Sequence, residues 1–156
     1  MQTLNCDIEI PIAWSWVESV RQIVKEKLAD YDDELREAAV MVASELAENV
    51  VKHGDPIATM QSGLIQLQVE AGKLRIRSSN GVRDATRVER LGKLMLRLME
   101  ADDPLALYLD RLRELLANPE QMDTQAGIYR IVCEGRFSLS QAFHEGVLTI
   151  SAERTL

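Results

Sequence analysis

The hydrophobic residues of this 156-residue chain change their spacing along the sequence, from the two-residue period of a strand to the helical period of about 3.6 residues and back. The first segment alternates strictly, because polar residues separate Leu4, Cys6, Ile8 and Ile10, and Pro11 follows. This pattern is typical of a half-buried strand that ends at the proline. The fold must therefore combine strands with helices.

Helical spacing predicts two helices after this strand, over residues 15 to 30 and 32 to 53. We expect Ser15 to cap the first helix and Asp32 or Asp33 to cap the second. The residues expected on the buried faces are Trp16, Val20, Ile23, Val24 and Leu28 in the first helix, and Leu35, Ala39, Val42, Leu46 and Val50 in the second.

The second half of the chain predicts two more amphipathic helices between residues 83 and 118. Asp103 suits an N-cap and Pro104 suits the first turn of the later helix. A shorter helix is predicted around residues 128 to 132. The residues expected to face inward on the two longer helices are Leu91, Met95 and Leu98, and Leu105, Tyr108, Leu112 and Leu115.

Two hairpins complete the pattern. Residues 65 to 69 and 74 to 77 alternate around an Ala71-Gly72 turn, and a second hairpin is predicted over residues 137 to 152. The order of elements predicts an α/β (α+β) sandwich, with a mostly antiparallel mixed sheet and helices packed on one face. No repeat or linker divides the sequence, so residues 1–156 are expected to form a single domain.

Charge and composition limit the classes of partner. The formal net charge is -7, which disfavours broad contact with nucleic acid or an anionic membrane. No apolar run approaches the ~20 residues that span a bilayer, and the N-terminus lacks a signal-peptide pattern, so we expect a cytoplasmic protein with protein or small-molecule partners. Cys6 and Cys133 stand outside any metal-binding pattern and are expected to be buried thiols.

The most informative segment is the end of the second predicted helix. Glu45, Asn49, Lys52 and His53 fall along one strip beside its apolar face. A carboxylate, an amide, an ammonium and an imidazole on one rim suit a ligand site. An ordinary solvated helix edge with a charged pair explains the same pattern, and His53 would also be favourable there as a charge at a helix C-terminus.

The Glu-x-x-x-Asn spacing followed by Lys-His-Gly resembles the N-box of the GHKL superfamily, which includes DNA gyrase B and the histidine kinases. The sequence is most similar to the anti-sigma-factor serine kinases and their degenerate relatives, and the similarity runs over nearly the whole chain. This resemblance implies a histidine-kinase-like ATPase fold of the Bergerat type. It also implies that ATP and Mg²⁺ are the ligands.

The resemblance assigns a role to each polar residue of the strip. Asn49 would coordinate the Mg²⁺ that bridges the nucleotide phosphates, since an amide oxygen is a hard ligand. Glu45 would be the catalytic general base. Lys52 and His53 would lie near the phosphates or the ribose.

Two segments depart from the family pattern. Where the family has Asp-x-Gly-x-Gly for adenine recognition, this chain has Asn80 and Gly81, and a neutral amide accepts a weaker hydrogen bond than a carboxylate does. Asn80 and Gly81 are equally consistent with a simple turn. The second glycine box keeps Gly127, but Gln125 stands where a glycine is expected. The altered boxes imply that ATP and Mg²⁺ bind weakly or not at all.

Two functions remain open. The first is a regulatory signalling protein that binds a protein partner, such as a small regulatory protein or a sigma-type regulator, and holds nucleotide weakly. The second is an active ATP-dependent serine/threonine kinase of the anti-sigma type. Residues 83 to 122 stand at the place of the family's ATP lid, and the helices over residues 83 to 118 are the first candidate for a partner surface. The oligomeric state, including a homodimer, stays open.

Overall fold

A computed structural model describes residues 3–119 and 126–156. Gln125, assigned above to the second glycine box, lies outside the described residues. None of the described helices is both long and apolar enough to cross a membrane. The elements are β1 Leu4–Ile10, α1 Ser15–Lys27, α2 Asp33–His53, β2 Gly63–Glu70, β3 Lys73–Gly81, α3 Ala85–Glu100, α4 Pro104–Ala117, α5 Ala126–Cys133, β4 Ser138–His144 and β5 Val147–Thr155.

The five strands form one sheet in the order β1-β2-β3-β5-β4. Every neighbouring pair among them is antiparallel, so the sheet is more regular than the mixed sheet that was predicted. The register keeps apolar residues opposite each other, as in the pairs Ile8 with Ile65 and Leu67 with Ile76. Short turns join β2 to β3 and β4 to β5, as the hairpin patterns predicted.

The two faces of the sheet have different chemistry. Ile65, Ile76 and Ile150 lie on the face that packs against the helices and are almost fully buried. Arg75 and Glu153 lie on the opposite face, where they form a hydrogen-bonded ion pair. The predicted α/β sandwich with helices on one face is therefore confirmed.

The second helix follows the prediction more closely than the first. All five residues predicted for the buried face of α2 are buried, and Asp32 caps the helix by accepting a hydrogen bond from the Leu35 amide at 2.8 Å. The predicted cap of α1 is wrong, because Ser15 is already helical and Trp14 takes the N-cap position without a side-chain hydrogen bond. The prediction for Trp16 is also wrong: it is 38% exposed, and Val17 takes the buried position.

The helices of the second half are only partly buried. Asp103 accepts a hydrogen bond from the Ala106 amide at 3.2 Å, and Pro104 begins α4, as predicted. Met95 and Leu98 are buried in α3 as predicted. On α4, however, no residue is fully buried, and the inward placement of Leu105 is wrong because that side chain is 53% exposed.

Both cysteines are free and half-buried rather than fully buried as predicted. Burial raises the pKa of the Cys133 thiol, with smaller contributions in the same direction from nearby carboxylates.

Candidate functional site

A cavity of about 300 Å³ lies between the end of α2, the end of β3 and the start of α3. Asn49 and His53 reach it from α2, and Asn80 reaches it from β3. Its remaining wall combines two arginines of α3 with apolar side chains. These residues are Arg87, Arg90, Val82, Val88, Leu91, Ile128, Leu148 and Ile150.

Asn80 belongs to a strand and not to a turn, because β3 continues to Gly81 and pairs Asn80 with Leu148 of β5. Its side chain is 4% exposed, and Nδ2 donates a hydrogen bond to the Gly81 carbonyl oxygen at 2.9 Å. Within residues 3–119 and 126–156, no hydrogen bond to Asn80 Oδ1 is formed. The amide oxygen is therefore the atom of Asn80 that can accept a hydrogen bond from a ligand.

Gly81 serves packing rather than the cavity, which it does not line. A Cβ atom on Gly81 would overlap the carbonyl oxygen of Asp55. The absence of a side chain lets the loop after α2 approach the strand, and the Asp55 amide donates to the Gly81 carbonyl at 2.8 Å. Asp55 Oδ2 also accepts a hydrogen bond from the Arg83 amide at 2.9 Å, so this loop joins the end of β3 to the chain that enters α3.

Glu45 does not line this cavity, although it lies only one turn before Asn49 on α2. Arg130 of α5 donates from Nη1 to Glu45 Oε1 at 2.5 Å, and the Glu45 side chain is 13% exposed. A Cβ atom on Gly127 would overlap Glu45 Oε2, so the glycine provides the space in which this carboxylate lies. Gly127 therefore contacts a protein carboxylate where the family resemblance implies a phosphate.

The electrostatics of Glu45 reflect two opposing effects. Burial raises the pKa of Glu45, and although the Arg130 guanidinium acts in the opposite direction, the pKa stays above its ordinary value. The pKa of Arg130 is raised in turn, first by its hydrogen bond to Glu134 and then by Glu45. The Arg130 side chain thus bridges the carboxylates of Glu45 and Glu134. No sequence pattern predicted a role for Arg130.

Lys52 also points away from the cavity. Its ammonium lies 3.8 Å from Glu48 Oε2 and 5.5 Å from the centroid of the Trp14 ring. These contacts occupy Lys52 with an ion pair and a cation-π interaction. Among the four polar residues of the predicted strip, only Asn49 and His53 line the cavity.

The cavity does not fit a protein-held Mg²⁺ site. Protein sites for Mg²⁺ commonly supply one or two carboxylates in addition to substrate phosphates. The described lining offers the amide groups of Asn49 and Asn80 but no carboxylate, and the exposed residues Arg87 and Arg90 line the same space. Within the described ranges, no group of three or more acidic, histidine or cysteine side chains could hold a metal ion.

The predicted site residues thus do not converge on one place. Asn49, His53 and Asn80 meet at the cavity, whereas Glu45 and Gly127 meet against α5. Lys52 and Gly81 belong to neither place. No protein-family model matches the chain, and no curated protein gives a significant match.

Proposed function

We propose that the chain is a regulatory signalling protein with a histidine-kinase-like ATPase domain, which binds an adenine nucleotide weakly and acts by docking a protein partner. The support for the nucleotide is the convergence of Asn49 and Asn80 on one cavity, from elements that are distant in sequence. A cavity of about 300 Å³ with an apolar wall and a few polar groups is at the lower end of the range for small-molecule sites.

The position of Glu45 favours binding over phosphoryl transfer. A general base must lie within hydrogen-bonding reach of the hydroxyl group that it deprotonates. Glu45 is instead paired with Arg130, outside the cavity lining. The kinase alternative rests on the spacing of Glu45 and Asn49 along α2, and it would require the ion pair to open in each catalytic cycle.

The proposed partner surface is the outer face of α4. Leu105, Leu109 and Leu116 are 53%, 44% and 82% exposed, and Leu112 is half-buried between them. Together the four leucines have the spacing of a and d positions in a heptad, to which a second amphipathic helix packs. We therefore propose a small regulatory protein that presents such a helix as the partner.

Calorimetry with ATP, together with a phosphotransfer assay, tests this function. We expect saturable ATP binding without transfer of phosphate to serine-containing proteins. Asn80→Ala should weaken ATP binding by about 5-fold to 10-fold, since the variant loses one neutral hydrogen bond of about 1 kcal/mol and some packing. Ser79→Ala is the matched control, because Ser79 lies next to Asn80 in β3 and its hydroxyl contacts Thr149 at 3.0 Å instead of the cavity.

If the natural protein did not bind ATP, the nucleotide part of the proposal would fail. Steady ATP-dependent labelling of a serine that disappears in Glu45→Gln would favour the kinase alternative instead.

A further inference from the structure

The cavity is cationic in a protein whose net charge is -7. Its described polar lining consists of Asn49, His53, Asn80 and the two arginines Arg87 and Arg90, without a carboxylate. The two arginines are three residues apart on α3, so they lie on the same side of the helix. A positively charged wall next to an apolar one suits a ligand with an aromatic or aliphatic body and an anionic group.

Arg87 and Arg90 differ from the ion-paired arginines of the protein, although Arg77 and Arg97 likewise form no ion pair in the described ranges. Arg75, Arg130 and Arg154 each form a hydrogen-bonded ion pair with a glutamate. Arg87 and Arg90 form no ion pair and no side-chain hydrogen bond within the part of the chain that the structure describes. Their guanidinium groups keep all their donors available for a ligand that enters the cavity.

We propose that Arg87 and Arg90 bind the phosphate groups of the nucleotide directly, so that this cavity binds its nucleotide without a divalent cation. The inference rests on the proposed nucleotide-binding function and goes further by replacing Mg²⁺ with two guanidinium groups. A guanidinium offers paired N–H donors whose geometry matches phosphate oxygens, and the resulting charge-assisted bonds are stronger than neutral ones.

The charge of the site supports this replacement. A dication held between the phosphates and Asn49 would meet two positive side chains with no carboxylate in the described lining to offset them. Mg²⁺ in solution also neutralises part of the charge of ATP. We therefore expect affinity to be equal or higher when Mg²⁺ is removed.

Calorimetry with adenosine, AMP and ATP tests the proposal, with each titration made once in excess Mg²⁺ and once in EDTA. We expect ATP and AMP to bind more tightly than adenosine, and ATP affinity in EDTA to equal or exceed that in Mg²⁺. Arg87→Gln and Arg90→Gln should each weaken ATP binding by about 10-fold, the effect of losing one charge-assisted hydrogen bond. Adenosine binding should change by less than 2-fold, or roughly the error of such comparisons.

Arg97→Gln is the matched control. Arg97 is an exposed arginine on the same helix that does not line the cavity, so its replacement removes the same net charge without removing a cavity contact. ATP affinity in Arg97→Gln should stay within 2-fold of the natural protein. Circular dichroism of each variant checks that the overall helix content is unchanged.

The possible failures are distinguishable. ATP binding that requires Mg²⁺ would overturn the arginine proposal and leave the nucleotide-binding function intact. Equal losses in Arg87→Gln, Arg90→Gln and Arg97→Gln would also overturn it, since they would show a general charge effect. If neither adenosine nor ATP bound in any buffer, the proposed nucleotide-binding function itself would fail.

Discussion

Replacing Gly127 by alanine should destabilise the protein, although the same change usually stabilises a helix. Alanine is favoured over glycine in a helix interior by about 0.5–1 kcal/mol, and the gain is smaller in the first turn, where Gly127 lies. The new Cβ atom would overlap Glu45 Oε2, so the carboxylate must move away from Arg130. Losing a charge-assisted hydrogen bond of this kind costs about 1.5–3 kcal/mol. We therefore expect Gly127→Ala to lower the free energy of unfolding by about 1–2 kcal/mol.

A double-mutant cycle separates the two contributions. In a Glu45→Ala background the overlapping carboxylate is absent, and the nearest atom that remains would be the Cβ of residue 45 at 3.6 Å, an ordinary contact. Gly127→Ala should then be neutral or stabilising by up to about 0.5 kcal/mol. Urea denaturation of the four proteins gives the coupling energy directly. If Gly127→Ala stabilised the natural protein as much as the Glu45→Ala variant, the role assigned to this glycine would be refuted.

Three further tests, which use four substitutions, concern other parts of the structure. Asn80→Asp should cost about 1–3 kcal/mol in the unliganded protein, because a carboxylate oxygen would replace the amide that donates to the Gly81 carbonyl; unchanged urea stability would contradict that hydrogen bond. Glu45→Gln should gain stability relative to the natural protein as the pH rises above the ordinary carboxyl value of 4.5. The folded pKa of Glu45 is raised, so the protonated carboxyl group stabilises the natural protein at low pH, and this stabilisation is lost as the pH rises through that pKa. Denaturation series between acid and neutral pH would show the opposite trend if the pKa were lowered. Leu116 is exposed, so Leu116→Gln should change the free energy of unfolding by less than about 0.5 kcal/mol. Leu98 is buried, so Leu98→Ala should lower the free energy of unfolding by about 2–5 kcal/mol. Similar thermal shifts for both variants would argue against an exposed face on α4.

The order of the elements could be predicted from the sequence because burial imposes a period on every element. α2 illustrates this, since all five residues of its predicted stripe are buried, although the buried face is broader and also includes Ala43, Ser44 and Ala47. α1 is less constrained, because Trp16 and Val17 are adjacent apolar residues that support two phases, and the smaller Val17 is the one that is buried. On α4, Leu105 and Tyr108 were predicted to face inward together. The helix has leucines on both its inner and its outer face, and only some of them pack against α5.

The candidate site was harder to predict, because contacts between distant segments determine which of its residues lie together. A helical strip correctly puts Asn49 and His53 together, since both are on α2. The same strip cannot show that Glu45 is hydrogen-bonded to Arg130, which is 85 positions further along the chain. The pairing of Asn80 with Leu148 likewise depends on a strand that follows much later.

Helix α3 carries the cavity arginines near its first turn and two exposed apolar side chains, Leu96 and Met99, nearer its end. A ligand that shifted α3 on binding in the cavity would therefore also shift the surface at the other end of the helix. Thermodynamic linkage makes this relation symmetric: a nucleotide that tightens partner binding by some factor must itself be held more tightly by that factor in the complex. α3 contacts α4, which carries the proposed partner surface. A nucleotide bound beside α3 would then report the occupancy of that surface to the same extent that it controls it.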